Sequence, residues 1–149
     1  MDINVKIKLS RGMQAPKYAT DGSAAVDLRA ALDENEIVTL APGERKVINT
    51  GISISPETRG VVAIVAARSG LGIKHGISLS NGIGVIDSDY RGEIGVGLIN
   101  TSNNSFEIRR GDRIAQLMFI PVLCANLIEV DELDATERGA GGFGSTGIS

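Results

Sequence analysis

Residues 81–97 read NGIGVIDSDYRGEIGVG, two short apolar runs flanking a polar turn rich in carboxylates. Apolar runs bounded by Asn, Gly and Asp signal strands joined by a turn, so the segment reads as a β-hairpin. Gly82, Gly84, Gly95 and Gly97 would leave strand backbone uncovered. That weakens a strand unless something must approach it closely, and a flat ligand lying on the hairpin explains them. In an extended strand Asp87 and Asp89 point to the same side. Alone, the pair fits a metal or acid–base site and equally an ordinary Asp-rich turn.

The pattern continues in both directions. Ile3, Val5, Ile7 and Leu9 alternate with Asn4, Lys6 and Lys8, the period-two signature of a half-buried strand. Short apolar runs recur at 36–40, 46–54, 61–67, 77–79, 83–86, 94–100 and 113–122. Turn formers such as Ala41-Pro42-Gly43-Glu44 and Arg110-Gly111-Asp112 separate them. No segment carries a 3.6-residue apolar repeat long enough for a sizeable helix, the best candidate being one turn near residues 69–74. Many short strands at close spacing predict an all-β fold of the sandwich or jelly-roll kind. A chain of 149 residues suits one such domain. With aromatics at 3% and no Trp, its core must be filled by Val, Ile, Leu and Ala.

Composition also excludes whole classes of function. A net charge of -3 argues against a general nucleic-acid or anionic-membrane surface, while leaving room for a local arginine cluster that grips one anion. Cys124 is the only cysteine and His75 the only histidine, so one subunit can build neither a disulfide nor a Cys/His zinc site. Cys124 lies in the apolar stretch 119–125 and is expected in the core. No apolar stretch approaches the ~18 residues of a membrane span, and the opening residues lack a secretory pattern. The expected location is cytoplasmic, with no membrane or nucleic-acid partner.

Three further segments carry polar chemistry. Arg68-Ser69-Gly70-Leu71-Gly72 follows the run 61–67 and delivers a guanidinium, a hydroxyl and open backbone at a strand end, which suits an anion or is simply a charged turn. Residues 111–117, GDRIAQL, start a strand with polar residues set among apolar ones. The last sixteen residues, DATERGAGGFGSTGIS, hold five glycines and one large ring, Phe143. Such a tail cannot bury enough surface to offset its ordering entropy, so it is expected to be mobile when nothing is bound. Gly139, Gly141 and Gly144 match the dinucleotide-binding spacing, yet only five residues remain for the helix that motif requires. Alone, the tail is either an inert end or a flap in which Arg138, Ser145 and Thr146 meet phosphate oxygens while Phe143 covers a ring.

Taken in order, AAVDLRA (24–30), ARSGLG (67–72), NGIGVIDSDYRGEIG (81–95), GDRIAQLMF (111–119) and RGAGGFGSTG (138–147) resemble the five motifs of the trimeric dUTP pyrophosphatases. The likeness spans nearly the whole chain. It departs mildly at Ala25, where the family often has glycine, and at Ala67, where proline often precedes the arginine. The resemblance implies a distorted β jelly-roll (β-clip) domain over 1–133 and a flexible Gly-rich arm over 134–149. It further implies a homotrimer whose active sites are shared between subunits, and hydrolysis of dUTP to dUMP and pyrophosphate. Asp87 then matches the general base that activates water for attack on the α-phosphorus. Tyr90 matches the ring that packs on deoxyribose. Asn81 and the backbone of Val85, Ile86 and Asp87 match the uracil-reading hairpin, with Gly95 in its far strand. Arg68, Ser69, Gly70 and Gln116 match phosphate-binding positions; Arg138, Ser145 and Thr146 match the closing arm, and Phe143 the ring stacked on uracil. Mg2+ would ride on the triphosphate and its waters, with Asp27 as an outer-shell support rather than a direct ligand. A dCTP deaminase shares this fold, and a nucleotide-sensing trimer without catalysis is a rival from another class; the fifth motif and the GVIDSDYRG segment favour the pyrophosphatase.

Overall fold

A computed structural model describes residues 2–142. In chain order the elements are β1 (Val5–Leu9), β2 (Val26–Arg29), β3 (Ile37–Leu40), β4 (Arg45–Asn49), β5 (Ile52–Pro56), β6 (Val61–Ala66), α1 (Ser69–His75), β7 (Ile77–Leu79), β8 (Gly84–Ile86), β9 (Gly95–Asn100), β10 (Phe106–Arg109) and β11 (Arg113–Pro121). All pairings are antiparallel. A four-stranded sheet runs β2-β11-β6-β8, a three-stranded sheet runs β4-β9-β7, and β1-β5 and β10-β3 form two-stranded ribbons. This is the all-β jelly-roll architecture that the strand spacing predicts.

Side-chain alternation decides what is buried. In β6, Val61, Ala63 and Val65 face the core while Val62, Ile64 and Ala66 face the other way. Leu28, Leu40, Ile77, Ile94, Leu98, Ile108, Ile114 and Leu117 fill the interior. Each contributes roughly 1.5–3 kcal/mol by leaving water. Two buried polar side chains are fully satisfied. Asn100 donates to the carbonyls of Leu40 (2.9 Å) and Asn104 (2.7 Å), and its Oδ1 accepts from the Ser102 amide (2.9 Å) and hydroxyl (2.8 Å). The Thr50 hydroxyl donates to the Ile94 carbonyl at 2.7 Å.

Four expectations change. The run 46–54 is two strands, because Gly51 turns the chain at φ +69 and a Cβ there would sit 2.7 Å from Met13 Cγ. β2 and β10 are strands that the apolar runs did not flag, since Asp27, Arg29, Glu107 and Arg109 dilute them. Segment 81–97 is not a paired hairpin: β8 bonds to β6, while β9 bonds to β4 and β7. The Ile94 amide reaches the Ile52 carbonyl at 2.8 Å and draws the second run into the other sheet. Finally, Cys124 is exposed rather than in the core. Its strand has ended by then, because the partner β6 begins at Val61, opposite Pro121.

The four-stranded sheet presents its other face outward. Val62, Ile64, Met118, Ile120 and Val85 make it apolar, and Val85 is 58% exposed. Beyond β11, residues 122–133 form no strand, and Leu123, Leu127 and Leu133 stand in solvent.

Candidate active site

Two clusters of polar chemistry sit at opposite ends of β6. At the first, a cleft of 260 Å³ is lined by Val85, Ile86, Asp87, Tyr90, Glu93, Ile94 and Gly95. Five of the residues singled out from sequence (Val85, Ile86, Asp87, Tyr90 and Gly95) therefore share one cavity. Residues 87–90 form a turn closed by the Tyr90 amide on the Asp87 carbonyl at 3.1 Å. Asp87 and Asp89 are thus turn residues and not neighbours along an extended strand. Tyr90 lies folded over Gly92, where a Cβ would collide with the phenol, and its hydroxyl donates to the Glu93 carbonyl at 3.1 Å. The Asp87 side also borders a 580 Å³ cleft with Arg59, Ser88, Asp89 and Cys124.

The glycines expected to expose backbone to a ligand act differently. Cβ atoms at Gly84, Gly95 and Gly97 would lie 2.9 Å from Val65, 2.9 Å from Val47 and 2.7 Å from the Ser80 hydroxyl. At Gly84 the Val65 Cβ leaves no space, at Gly95 and Gly97 the close atoms are the ends of the Val47 and Ser80 side chains, and Gly82 alone among the four has open space. Asn81 is exposed at the turn between β7 and β8 and does not line the cleft.

At the second cluster Asp27, on β2, stands opposite Gln116, on β11, in the strand register. Both line a cleft of 310 Å³ with Lys17 and Met118. Arg68, just past β6, donates its Nε to Asp27 Oδ1 at 2.9 Å and an Nη to the Arg113 carbonyl at 3.3 Å. Arg113 donates to Asp27 Oδ2 at 3.3 Å. Side-chain exposures of 22% for Arg68 and 23% for Asp27 make this a partly buried pair, stronger than an open surface contact. Lys17, Arg29, Arg110 and Arg113 border an adjoining 540 Å³ cleft. Ser69 and Gly70 are exposed at the start of α1. Among the described residues, no three His, Cys, Asp or Glu side chains converge into a metal cage.

Within one chain the two clusters stand apart along β6. The β6–β8 register puts Ala63 opposite Ile86 and so Val62 opposite Asp87, while Arg68 lies beyond the far end of β6. At a strand's rise per residue this is a separation of roughly 20 Å. Among the described residues, Arg138 bonds locally, its Nε to the Gly141 carbonyl at 3.0 Å. Phe143, Ser145 and Thr146 lie outside the described residues. Arg113, Glu93 and Arg11 were not singled out from sequence; Arg113 follows Asp112 in the fourth motif and Glu93 follows Tyr90 by three residues, but neither position alone marks a contact.

With this geometry, residues 11–147 match the family model described as dUTPase. The chain belongs to the dUTPase family. A "Deoxyuridine 5'-triphosphate nucleotidohydrolase" of Desulfitobacterium hafniense is 52% identical over 150 residues, covering 99% of this chain and 98% of the relative. Among solved dUTPases, that of Staphylococcus bacteriophage 80alpha with dUPNHPP superposes with a TM-score of 0.85 at 29% identity, covering 97% of this chain and 99% of that one. A mutant dUTPase of phage phi11 of S. aureus, described with a coordinated structural Mg(II) ion, shares the fold at a TM-score of 0.78 and 24% identity, covering 89% of this chain and 99% of that one.

Proposed function

We infer that this dUTPase hydrolyses dUTP to dUMP and pyrophosphate, with the nucleoside in the 260 Å³ cleft and Asp87 aligning the water that attacks the α-phosphorus. The observation that carries the reading is the convergence of Val85, Ile86, Asp87, Tyr90 and Gly95 on that single cleft. A carboxylate at the cleft edge accepts the water's proton as the bond to phosphorus forms, a contribution of about 10²–10⁴-fold. The pyrophosphate group leaves as the α-phosphorus–oxygen bond breaks. Tyr90, held against Gly92, packs on the deoxyribose and leaves no room for a 2′-hydroxyl. Main-chain groups of 85–87, with Asn81 at the β7–β8 turn, read the uracil edge. A site that satisfies uracil leaves polar groups unpaired against cytosine, a penalty of up to about 10⁴-fold.

The phosphate chain belongs to the other cluster. Arg68, with the hydroxyl of Ser69 and the open backbone of Gly70, binds it, and Gln116 lies beside the α-phosphate. A hydrated Mg2+ carried on the phosphate oxygens fits this donor set, because Mg2+ keeps its waters and needs no all-protein cage. When bound it screens the triphosphate's charge. Asp27 serves here through Arg68, since both its oxygens are engaged by guanidinium groups.

The roughly 20 Å of backbone between Asp87 and Arg68 along β6 favours a substrate gripped by more than one subunit. We propose a homotrimer with shared sites. The unpartnered apolar face of Val62, Ile64, Met118 and Ile120, and the exposed leucines of 122–133, support self-association. The arm from 134 onward, carrying Arg138, Phe143, Ser145 and Thr146, closes over the bound nucleotide and excludes bulk water. The test is turnover of dUTP with pyrophosphate release, using UTP, dCTP and dTTP as controls. Comparable release from dCTP or UTP, or binding of dUTP without turnover, contradicts the reading.

A further inference from the structure

We propose that Glu93 is a positioning residue: it fixes the Tyr90 ring in the nucleoside cleft and so sets the discrimination between deoxyribo- and ribonucleotides. The inference rests on the reading of Tyr90 given above. Glu93 touches Tyr90 through its main chain and the rest of the fold through its side chain. Its carbonyl accepts the Tyr90 hydroxyl at 3.1 Å. Its Oε1 accepts the Gly51 amide at 2.7 Å and the Arg11 Nε at 3.3 Å.

The neighbouring residue fastens the same wall. The Ile94 amide donates to the Ile52 carbonyl at 2.8 Å, and the Ile94 carbonyl accepts the Thr50 amide at 3.2 Å and the Thr50 hydroxyl at 2.7 Å. The cleft wall at 93–95 is therefore laced to the bend at 50–52, and Glu93 supplies the only side chain among those bonds that comes from the cleft. The bend has no freedom to follow if the lacing fails. Gly51 sits at φ +69 against the turn at residues 10–13, with room for no Cβ.

Arg11 brings the neighbouring turn into the same network. It is the one non-glycine among the described residues with positive φ, +53. A left-handed residue without glycine persists only where surrounding contacts hold it. Here Arg11 and Gly12 (φ +66) are the central pair of a turn closed by the Met13 amide on the Ser10 carbonyl at 3.0 Å, and the Arg11 side chain adds its Nε on Glu93 while its carbonyl accepts an Arg110 guanidinium. The strained turn, the bend and the cleft wall thus share one carboxylate.

Rejecting a 2′-hydroxyl requires a gap held to within a fraction of an ångström, because the rejected group is a single oxygen. Without the Glu93 carboxylate, the Gly51 amide loses its acceptor and residues 91–93 can shift while Ile94 stays pinned to 50 and 52, moving the Glu93 carbonyl that orients the Tyr90 ring. The gap opens, and UTP gains relative to dUTP.

The experiment compares kcat/KM for dUTP and for UTP in wild type, Glu93→Ala, Glu93→Gln and Arg11→Ala. The dUTP-to-UTP ratio should fall at least about 10-fold in Glu93→Ala. It should fall only about threefold in Glu93→Gln, whose amide oxygen still accepts from Gly51, and in Arg11→Ala. A purely structural role would lower the fraction of active enzyme and reduce both substrates equally, leaving the ratio intact. A ratio within about twofold of wild type in Glu93→Ala overturns the proposal; should that variant not fold, an unchanged ratio in Arg11→Ala overturns it. A wild type that turns over UTP as well as dUTP would instead sink the underlying reading of Tyr90.

Discussion

The two ends of β6 are built from different physics. Beside Val62, the cleft proposed for the nucleoside is shaped by main-chain hydrogen bonds and by the Tyr90 ring seated against Gly92. Beyond Ala66, the cluster proposed for the phosphates is held by charge, with Asp27 tying Arg68 and Arg113 together. A flat base is recognised by shape, which needs walls that do not move. A triphosphate is recognised by charge, and unpaired guanidinium groups held close together repel one another until an anion arrives. Asp27 offsets that repulsion in the free protein and aims Arg68.

Removing the reactive group at the cleft end should have the largest effect. Asp87→Asn preserves the shape of the side chain but cannot accept the water's proton, so kcat for dUTP should drop by at least about 100-fold while nucleotide binding persists. Near-normal turnover would remove Asp87 from the chemistry. Deleting residues 138–149 leaves every strand intact. The truncated protein should keep its melting temperature but lose about 10–100-fold in kcat/KM, because nothing then closes over the phosphates. Full activity would make the arm dispensable.

The smallest effect probes the charged end. Were Asp27 merely a negative charge near a triphosphate, Asp27→Asn would tighten dUTP binding. If it aims Arg68, the same change should raise KM for dUTP by about 10-fold and leave dUMP binding, measured by calorimetry, nearly unaltered. Tighter dUTP binding in Asp27→Asn would reverse the assignment.

Much of this was legible in the sequence where periodicity and turn chemistry agree. β1, β6, β7 and β11 follow apolar runs, and α1 falls on the best helix candidate, the single turn near 69–74. Partners were less legible than strands. The runs on either side of 87–90 look like a hairpin, but pairing depends on what lies beside them in space, and Ile94 finds Thr50 and Ile52 first. Cys124 reads as core because its neighbours are apolar; apolar character forecasts burial only where a partner strand exists, and β6 starts too late to provide one. At the site, Tyr90 and Asp87 stood out through a turn whose composition is local. Glu93, Arg11 and Arg113 did not, because their roles are contacts across 42, 82 and 86 positions of chain.

The separation of Asp87 from Arg68 along β6 is the central claim, and mixing two inactive variants tests it most directly. Asp87→Asn and Arg68→Ala chains, each nearly inactive alone, are unfolded together and reassembled in equal amounts. If each site takes its carboxylate from one subunit and its guanidinium from another, about one quarter of the sites regain both groups. Activity should then rise to about a quarter of the wild-type value. If the two residues serve the same substrate from a single chain, no assembly restores a complete site, and the mixture will stay as inactive as its parts.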